Sequence, residues 1–357
     1  MATIRTYIKD YMDDCRERED IAGYDSKQSK ANNIIHAIGH RAIQSVTQKE
    51  IKAFLRKGTK KWQNRTLNGH LTILRAIFDN AYHDRLIDRN PMNGIKNYKT
   101  AKKEIQPFTK EEIKAIYDST ERYVVERALF ILGVLTGLRI SELIALCWCC
   151  VDLERKLIIV RRAKVKGQYK VTKTVSSERE VELCDKAVAV LQELQLITGK
   201  RPATPILLTQ EDKRSTKREN VKHVFICLET GKAFIDDRQY AKRFLTPTLA
   251  KLNIAHRGPG QIRHTFASQA LTAGLSDVWI ARQLGHTTTL MVHRHYAKYI
   301  REDAPDNTGK LASALSSVFD EPQPEPQPPA INQEMLSMLQ ALTAFTKLTS
   351  GAQGGAL

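Results

Sequence analysis

The sequence predicts a mainly α-helical chain with one small antiparallel β-sheet near its middle. Three observations lead there. Apolar residues recur at helical spacing through the first hundred residues, residues 155–183 alternate β-branched and polar side chains around a Gly-containing turn, and helical patterning resumes from 184 onward. At 357 residues the chain is long for one domain, and its 42% hydrophobic content is enough for ordinary globular cores.

Taken in order, Ile4, Tyr7, Ile8, Tyr11 and Cys15 form one apolar stripe, and Leu67, Leu71, Leu74, Phe78 and Tyr82 form another. Residues 28–43 and 47–58 supply two shorter helices between them, and Asn90-Pro91 ends the last one. The first module is therefore a bundle of about four helices over residues 1–100. Residues 101–107 read as a polar, basic linker, closed by Pro107 and a capping-box start at Thr109 with Glu112. Two helices follow, over 110–120 and 122–137, the second apolar enough to be buried. After them come the sheet and then further helices, in a second module over 108–305. Residues 306–357 form a tail. Within it "EPQPEPQPP", 321–329, is an extended polyproline linker. Beyond that, Ile331, Met335, Met338, Leu342 and Phe345 recur at helical spacing, a stripe to be covered by a neighbouring subunit or by the chain's own domain.

Charge narrows the function. Lys and Arg number 56 against 39 Asp and Glu, a net of +17. Residues 1–107 hold 21 basic and 12 acidic side chains, residues 108–317 hold 34 and 23, and residues 318–357 hold one and four. Two basic modules with a mildly acidic tail suit a protein that grips a long polyanion from two sides. No apolar run approaches the ~20 residues that a membrane helix needs. Asp10, Asp13 and Asp14 stand where a signal peptide would be apolar, so the expected location is cytoplasmic.

The six cysteines are Cys15, Cys147, Cys149, Cys150, Cys184 and Cys227. "CWCC" holds a formal C-x-x-C, but neither Cys184 nor Cys227 supplies a second ligand pair at zinc spacing. The motif also sits in the apolar run "ELIALCWCCVDL", where reduced Cys packs as a small hydrophobe. No metal and no cofactor is expected.

Four features carry chemistry. In "TGLRISELIALCW", 136–148, Gly137 closes one helix and Arg139 falls in the first turn of the next, where a guanidinium fork and free backbone N–H groups make a phosphate clamp. Taken alone, a surface arginine paired with Glu142 would be the favoured reading of Arg139. "GQIRHTFASQALTAG", 260–274, repeats the device: Arg263 opens a helix whose apolar face is Phe266, Ala267, Ala270 and Leu271. Gly285 then ends a helix and exposes His286, and Tyr296 follows ten residues later in the acid-free stretch "MVHRHYAKYI". The segment "RKGTKKWQNRT", 56–66, carries Arg56, Lys57, Lys60, Lys61 and Arg65 with no acid. It is expected against backbone phosphate, with Gln63 or Asn64 reaching a base edge; the plainer reading is a solvated loop.

With these motifs the chain resembles the tyrosine recombinases, or phage-type integrases. The matching stretches are "TGLRISELIALCW", "TKT" with the following "SEREVEL", "RHTFAS", "LGH" and "HYAKY". Together they cover residues 108–300. The resemblance implies a helical core-DNA-binding domain and a mixed α/β catalytic domain of the DNA breaking-rejoining type, closing as a C-shaped clamp around duplex DNA. It implies a site-specific recombinase of a phage or mobile element, working through a 3′-phosphotyrosine as a tetramer on two sites. The expected partners are double-stranded DNA with recombination sites, other copies of the chain, and accessory DNA-bending or directionality proteins. Carried over by position, Tyr296 is the nucleophile, Arg139 and Arg263 the phosphate-binding pair, Lys173 the general acid, and His286 the last-box histidine. Lys164, Lys166 and Lys170 compete for the role of Lys173. Tyr299, three residues after Tyr296, is expected to pack.

The pattern breaks at one position. Three residues before its second arginine the family usually places histidine, or sometimes lysine, and here that position is Gly260, which cannot accept the tyrosine proton. Gln261, His264, His256 or water is left to do so. Two rival functions share much of this pattern: a type IB topoisomerase-like relaxation of DNA, and a non-enzymatic DNA-binding regulator on the same scaffold. A regulator would not need Arg139, Lys173, Arg263, His286 and Tyr296 together.

Overall fold

A computed structural model describes residues 2–19, 21–101, 104–119, 122–172 and 178–296, with positions 337, 340 and 343 beyond them. The chain divides into two compact units, Met1–Ala304 and Pro305–Leu357. Lys173, Tyr299, segment 321–329 and the apolar stripe from Ile331 to Phe345 all lie outside the described residues.

Four helices open the chain: α1 (Ile4–Arg18), α2 (Ile21–Ile38), α3 (Gln48–Thr59) and α4 (Asn64–His83). Their starts follow local chemistry. The Thr3 hydroxyl accepts the Thr6 N–H before α1, and Thr47 and Glu50 close a reciprocal capping box before α3. Ile4, Tyr7, Ile8, Met12 and Cys15 of α1 meet Leu67, Leu71, Leu74 and Phe78 of α4 in one core. Burying each large apolar side chain contributes about 1.5–3 kcal/mol. The predicted stripes hold except at their edges: Met12 is buried where Tyr11 was expected, and Tyr82 is 49% exposed. Helix α4 also stops earlier than the Asn90-Pro91 signal. Arg85 takes a left-handed φ of 59°, and the Leu86 N–H bonds back to the Ala81 carbonyl. That closes the helix ahead of the proline.

A second core forms around α6 (Val124–Thr136), which follows α5 (Lys110–Asp118). Val125, Leu129, Phe130 and Leu132 of α6 are fully buried. The Thr109–Glu112 capping box starts α5 as predicted. Short α7 (Ile140–Ile144) leads into the strands.

The strands depart from the expected single sheet. β1 (Val151–Asp152), β2 (Leu157–Val160) and β5 (Arg179–Glu182) form one antiparallel sheet in the order β1-β2-β5. β3 (Arg162–Val165) and β4 (Gln168–Val171) leave it and join β6 (Thr204–Thr209) and β7 (Thr216–Val221), with β4 and β6 parallel. Two cores explain the split. Ile158 and Val160 bury against the α6 core, whereas Tyr169 buries with Ile206, Leu208 and Val221 in a separate cluster.

Helices therefore do not simply resume at 184. After α8 (Asp185–Leu194) come β6, β7 and a small ribbon of β8 (Ile226–Cys227) with β9 (Lys232–Ala233). The sequence hides β7 because "TKRENV" is almost wholly polar and buries only Val221. The chain then runs through α9 (Asp237–Tyr240), α10 (Thr246–Lys251), α11 (Gly260–Thr272), α12 (Asp277–Leu284) and α13 (Leu290–Tyr296). Phe266, Ala267, Ala270 and Leu271 of α11, Ile280 and Leu284 of α12, and Val292 and Tyr296 of α13 share a small core. That core fixes α11, which carries His264, α12, which His286 follows two residues past its end, and α13, which carries Tyr296.

Candidate active site

Glycine geometry aims the first arginine. Gly137 ends α6 at a φ of 68°, and a Cβ there would stand 2.5 Å from a Phe266 ring carbon and 2.8 Å from a Leu284 methyl. No other residue fits this turn without strain. Two residues on, Arg139 is the N-cap of α7, one position ahead of its expected place in the first turn. Its backbone N–H and its Nη1 each donate to the Glu142 carboxylate at 2.9 Å.

Glu142 is more than the surface partner expected from sequence. Its side chain is 5% exposed and also receives the Arg179 fork from β5, at 3.2 and 2.8 Å. Burial alone would raise its pKa, but Arg179 and Arg139 hold it below the usual carboxylate range. Arg179 in turn donates Nε to the Gln283 carbonyl at 3.1 Å and lies under Gly285, where a Cβ would come within 2.8 Å of its Cδ. Motif reading assigned Arg179 no role, although it stands inside "SEREVEL".

Arg263, in the first turn of α11, is pinned by carbonyls. Nη1 donates to the Gly137 carbonyl at 2.9 Å and Nη2 to the Leu284 carbonyl at 2.6 Å. Nη2 also lies 3.0 Å from His286 Nε2. A guanidinium only donates, so Nε2 accepts and the imidazole proton sits on Nδ1. Burial first, then Arg263 and Arg139, push His286 down to about 4, which agrees with a neutral ring. His286 is half-buried rather than exposed, and among the described residues its buried Nδ1 has no hydrogen-bond partner. Burial, followed by repulsion from Arg139, also disfavours the charge on Arg263. A guanidinium nonetheless stays protonated, so an anion bound here would relieve that cost.

A cleft of about 790 Å³ opens beside this cluster, lined among others by Arg139, Lys170, Arg179, Arg282 and His286. Of the rival lysines, Lys164 is buried over the Tyr169 ring at 4.6 Å, and burial pushes it down to about 8. Lys166 pairs with Asp25 of α2 at 2.6 Å. Lys170 alone of these three lines the cleft.

Tyr296 is 2% exposed, at the end of α13 as described. Its hydroxyl lies 2.5 Å from His264 Nδ1. The other two side chains considered for the missing base are engaged elsewhere. Gln261 Oε1 accepts the Gln106 N–H, and His256 Nε2 meets the Thr246 hydroxyl. At Gly260 itself an added Cβ would meet nothing within 4 Å, so packing does not demand glycine there.

Arg56, Lys57, Lys60, Lys61 and Arg65 are all exposed around the α3–α4 turn, far along the chain from these residues. Trp62 stacks on His70 at 4.2 Å and stiffens the turn. Asn64 spends its amide on the Lys99 carbonyl, leaving exposed Gln63 as the freer of the two amides.

The phage integrase family model matches residues 106–302, and the chain belongs to this family. Prophage integrase IntR of Escherichia coli (strain K12) is 28% identical over 256 residues, which are 71% of this chain and 62% of IntR. The ICEBs1 integrase of Bacillus subtilis (strain 168) is 30% identical over 156 residues, 42% of each chain. These alignments thus span less than two thirds of either relative. Among solved structures, the Tn1549 transposon integrase in complex with a circular intermediate DNA superposes with a TM-score of 0.68 at 19% identity, over 89% of this chain and all of that one. A lambda integrase tetramer bound to a Holliday junction gives 0.64 at 16% identity, over 86% of this chain and 81% of that one. The fold is that of these integrases.

Proposed function

We propose that the chain is a site-specific DNA recombinase that cuts and rejoins duplex DNA through a 3′-phosphotyrosine, in the service of a phage or other mobile element. The observation that carries this is one cluster: Arg263 locked by two carbonyls beside His286, with Arg139 at a basic cleft and the buried phenol of Tyr296 on a helix of the same small core.

The chemistry follows from charge. A phosphodiester anion repels nucleophiles, and its transition state gathers charge on the equatorial oxygens. Arg139 and Arg263 offer two guanidinium forks to those oxygens, already oriented by Glu142 and by backbone carbonyls. Tyr296 Oη attacks phosphorus, the Oη–P bond forms and the bond to the 5′ oxygen breaks, so the energy needed for rejoining is kept in the phosphotyrosine. The departing 5′ oxygen takes a proton, and Lys173 is the residue proposed to give it.

The rest of the chain is assigned accordingly. Residues 1–100 bind the core site, with Arg56, Lys57, Lys60, Lys61 and Arg65 on backbone phosphate. Residues 108–305 carry the chemistry, residues 101–107 join the two, and 306–357 serve assembly. Four copies act together on two sites, a reading supported by the lambda integrase tetramer. In the described residues no helix is long and apolar enough to cross a membrane.

A nicked suicide DNA, which loses its 5′ end after cleavage, tests the proposal. The full chain should become covalently trapped on it, and peptide mapping should find the DNA on Tyr296. Tyr296→Phe removes one hydroxyl, so it should bind DNA with unchanged affinity and form no adduct. An adduct on Tyr299, or cleavage surviving in Tyr296→Phe, would overturn the assignment; complete absence of any adduct would favour a non-enzymatic DNA-binding protein.

A further inference from the structure

We infer that His264 is the catalytic base that takes the Tyr296 proton during attack, standing in for the histidine that Gly260 replaces. The inference rests on Tyr296 being the nucleophile. Three observations carry it. First, the attacking phenol must shed a proton, because its ordinary pKa of about 10 keeps it protonated near neutrality. Second, His264 Nδ1 lies 2.5 Å from the Tyr296 hydroxyl, well within the reach required of a base, with the two rings tilted 50° at a centroid separation of 5.6 Å. Third, the other side chains near the start of α11 are occupied: Gln261 by the Gln106 amide and His256 by Thr246.

The environment keeps His264 able to accept. It is half-buried on α11, faced by Arg263 from its own helix and by His295 and Tyr296 from α13. Burial first, then the positive Arg263 and neighbouring His295, disfavour the imidazolium in the resting protein. As Oη bonds to phosphorus its proton passes to His264 Nδ1, and the leaving 5′ oxygen is protonated by a separate acid. On rejoining, the 5′ hydroxyl attacks and gives its proton back to that acid, the Oη–P bond breaks, and His264 returns its proton to the phenolate. Because His264 directly follows Arg263 on one helix, base and phosphate clamp are positioned by the same element.

The test measures covalent adduct formation by the full chain on nicked suicide DNA. His264→Asn places an amide near the Nδ1 position, which can still hydrogen-bond the phenol but cannot take up its proton. It should bind DNA as the parent does yet form the Tyr296 adduct slower by about 10²- to 10⁴-fold, the usual contribution of a general base. His264→Ala should be equally slow and should regain rate as imidazole is added, which a merely structural role would not produce. If His264→Asn misfolds by thermal melting, the alanine variant with imidazole carries the test alone. An unchanged or faster His264→Asn rate would overturn the inference, since the bond would then only store the phenol. Slow variants that imidazole leaves slow would overturn it too. Should Tyr296→Phe still form an adduct, the nucleophile assignment fails, and that outcome is distinct from either.

Discussion

Glu142 shows how one side chain can organise a cationic site. At 5% exposure it holds two guanidinium groups, and those two arginines pull its pKa down against its own desolvation. A buried carboxylate shared in this way leaves Arg139 with an exposed face toward the cleft, its side chain 46% exposed. Glu142→Ala leaves Arg179 buried without a counter-charge, which costs about 3–5 kcal/mol. Urea denaturation should register a loss of that size, and adduct formation should fall as Arg139 loses its anchor. A variant as stable as the parent would show that Arg179 is neutralised elsewhere. At this scale type and order were enough to single out Arg139, Arg263, His286 and Tyr296 as candidates, and the fold brings Arg263 and His286 into contact. Motif order gave no sign of Arg179, and it named Glu142 and His264 without their decisive contacts, which reach partners 37, 104 and 32 residues away. A linear pattern cannot say which of several candidates, such as Gln261, His256 and His264, will meet the phenol.

Between elements, the sequence spoke clearly where a pattern repeats and poorly where two cores compete. The amphipathic stripes of α1 and α4, the Thr109–Glu112 cap and the Lys166–Gly167 turn were all readable. The split of the strands between two sheets was not, because only burial distinguishes Ile158 from Tyr169 as members of different cores. The β4–β6 cluster also contains a titrating group. His223 is 8% exposed, takes the Tyr169 hydroxyl at 2.7 Å and meets Thr204 at 3.1 Å. Burial, then Lys164 and Arg162, push it down to about 4. A histidine with a depressed folded pKa is neutral in the fold while the unfolded chain takes up a proton below about 6.5, so stability is present above 6.5 and lost as pH falls toward 4. The full shift corresponds to about 3 kcal/mol as an upper limit. Chemical denaturation at stepped pH should show that loss, and His223→Gln should flatten it between 6.5 and 4. An equally steep loss in His223→Gln would place the acid sensitivity on another group.

For the whole molecule, charge and contact must be read together. Residues 1–107 carry 21 basic against 12 acidic side chains and residues 108–317 carry 34 against 23, so both stretches are net positive. Exposed ion pairs connect them, Asp25 with Lys166 and Glu17 with Arg214 at 3.1 Å, each worth little by itself. On the proposed function, weak contacts of this kind leave the grip on DNA to be set by phosphate contacts and counterion release. Six or more such contacts give a log–log dependence of affinity on salt with a slope of about −5 or steeper. Lys57, Lys60 and Lys61 are exposed on the α3–α4 turn, and replacing all three by alanine should make the slope shallower by about 2–3 while weakening every DNA sequence alike. Filter binding or fluorescence anisotropy from low to physiological salt measures both quantities on a cognate and a scrambled duplex. If the triple variant keeps the parent slope, the turn does not touch phosphate. If it loses affinity on the cognate duplex alone, the turn reads bases, and the direct contact would then belong to Gln63 beside it.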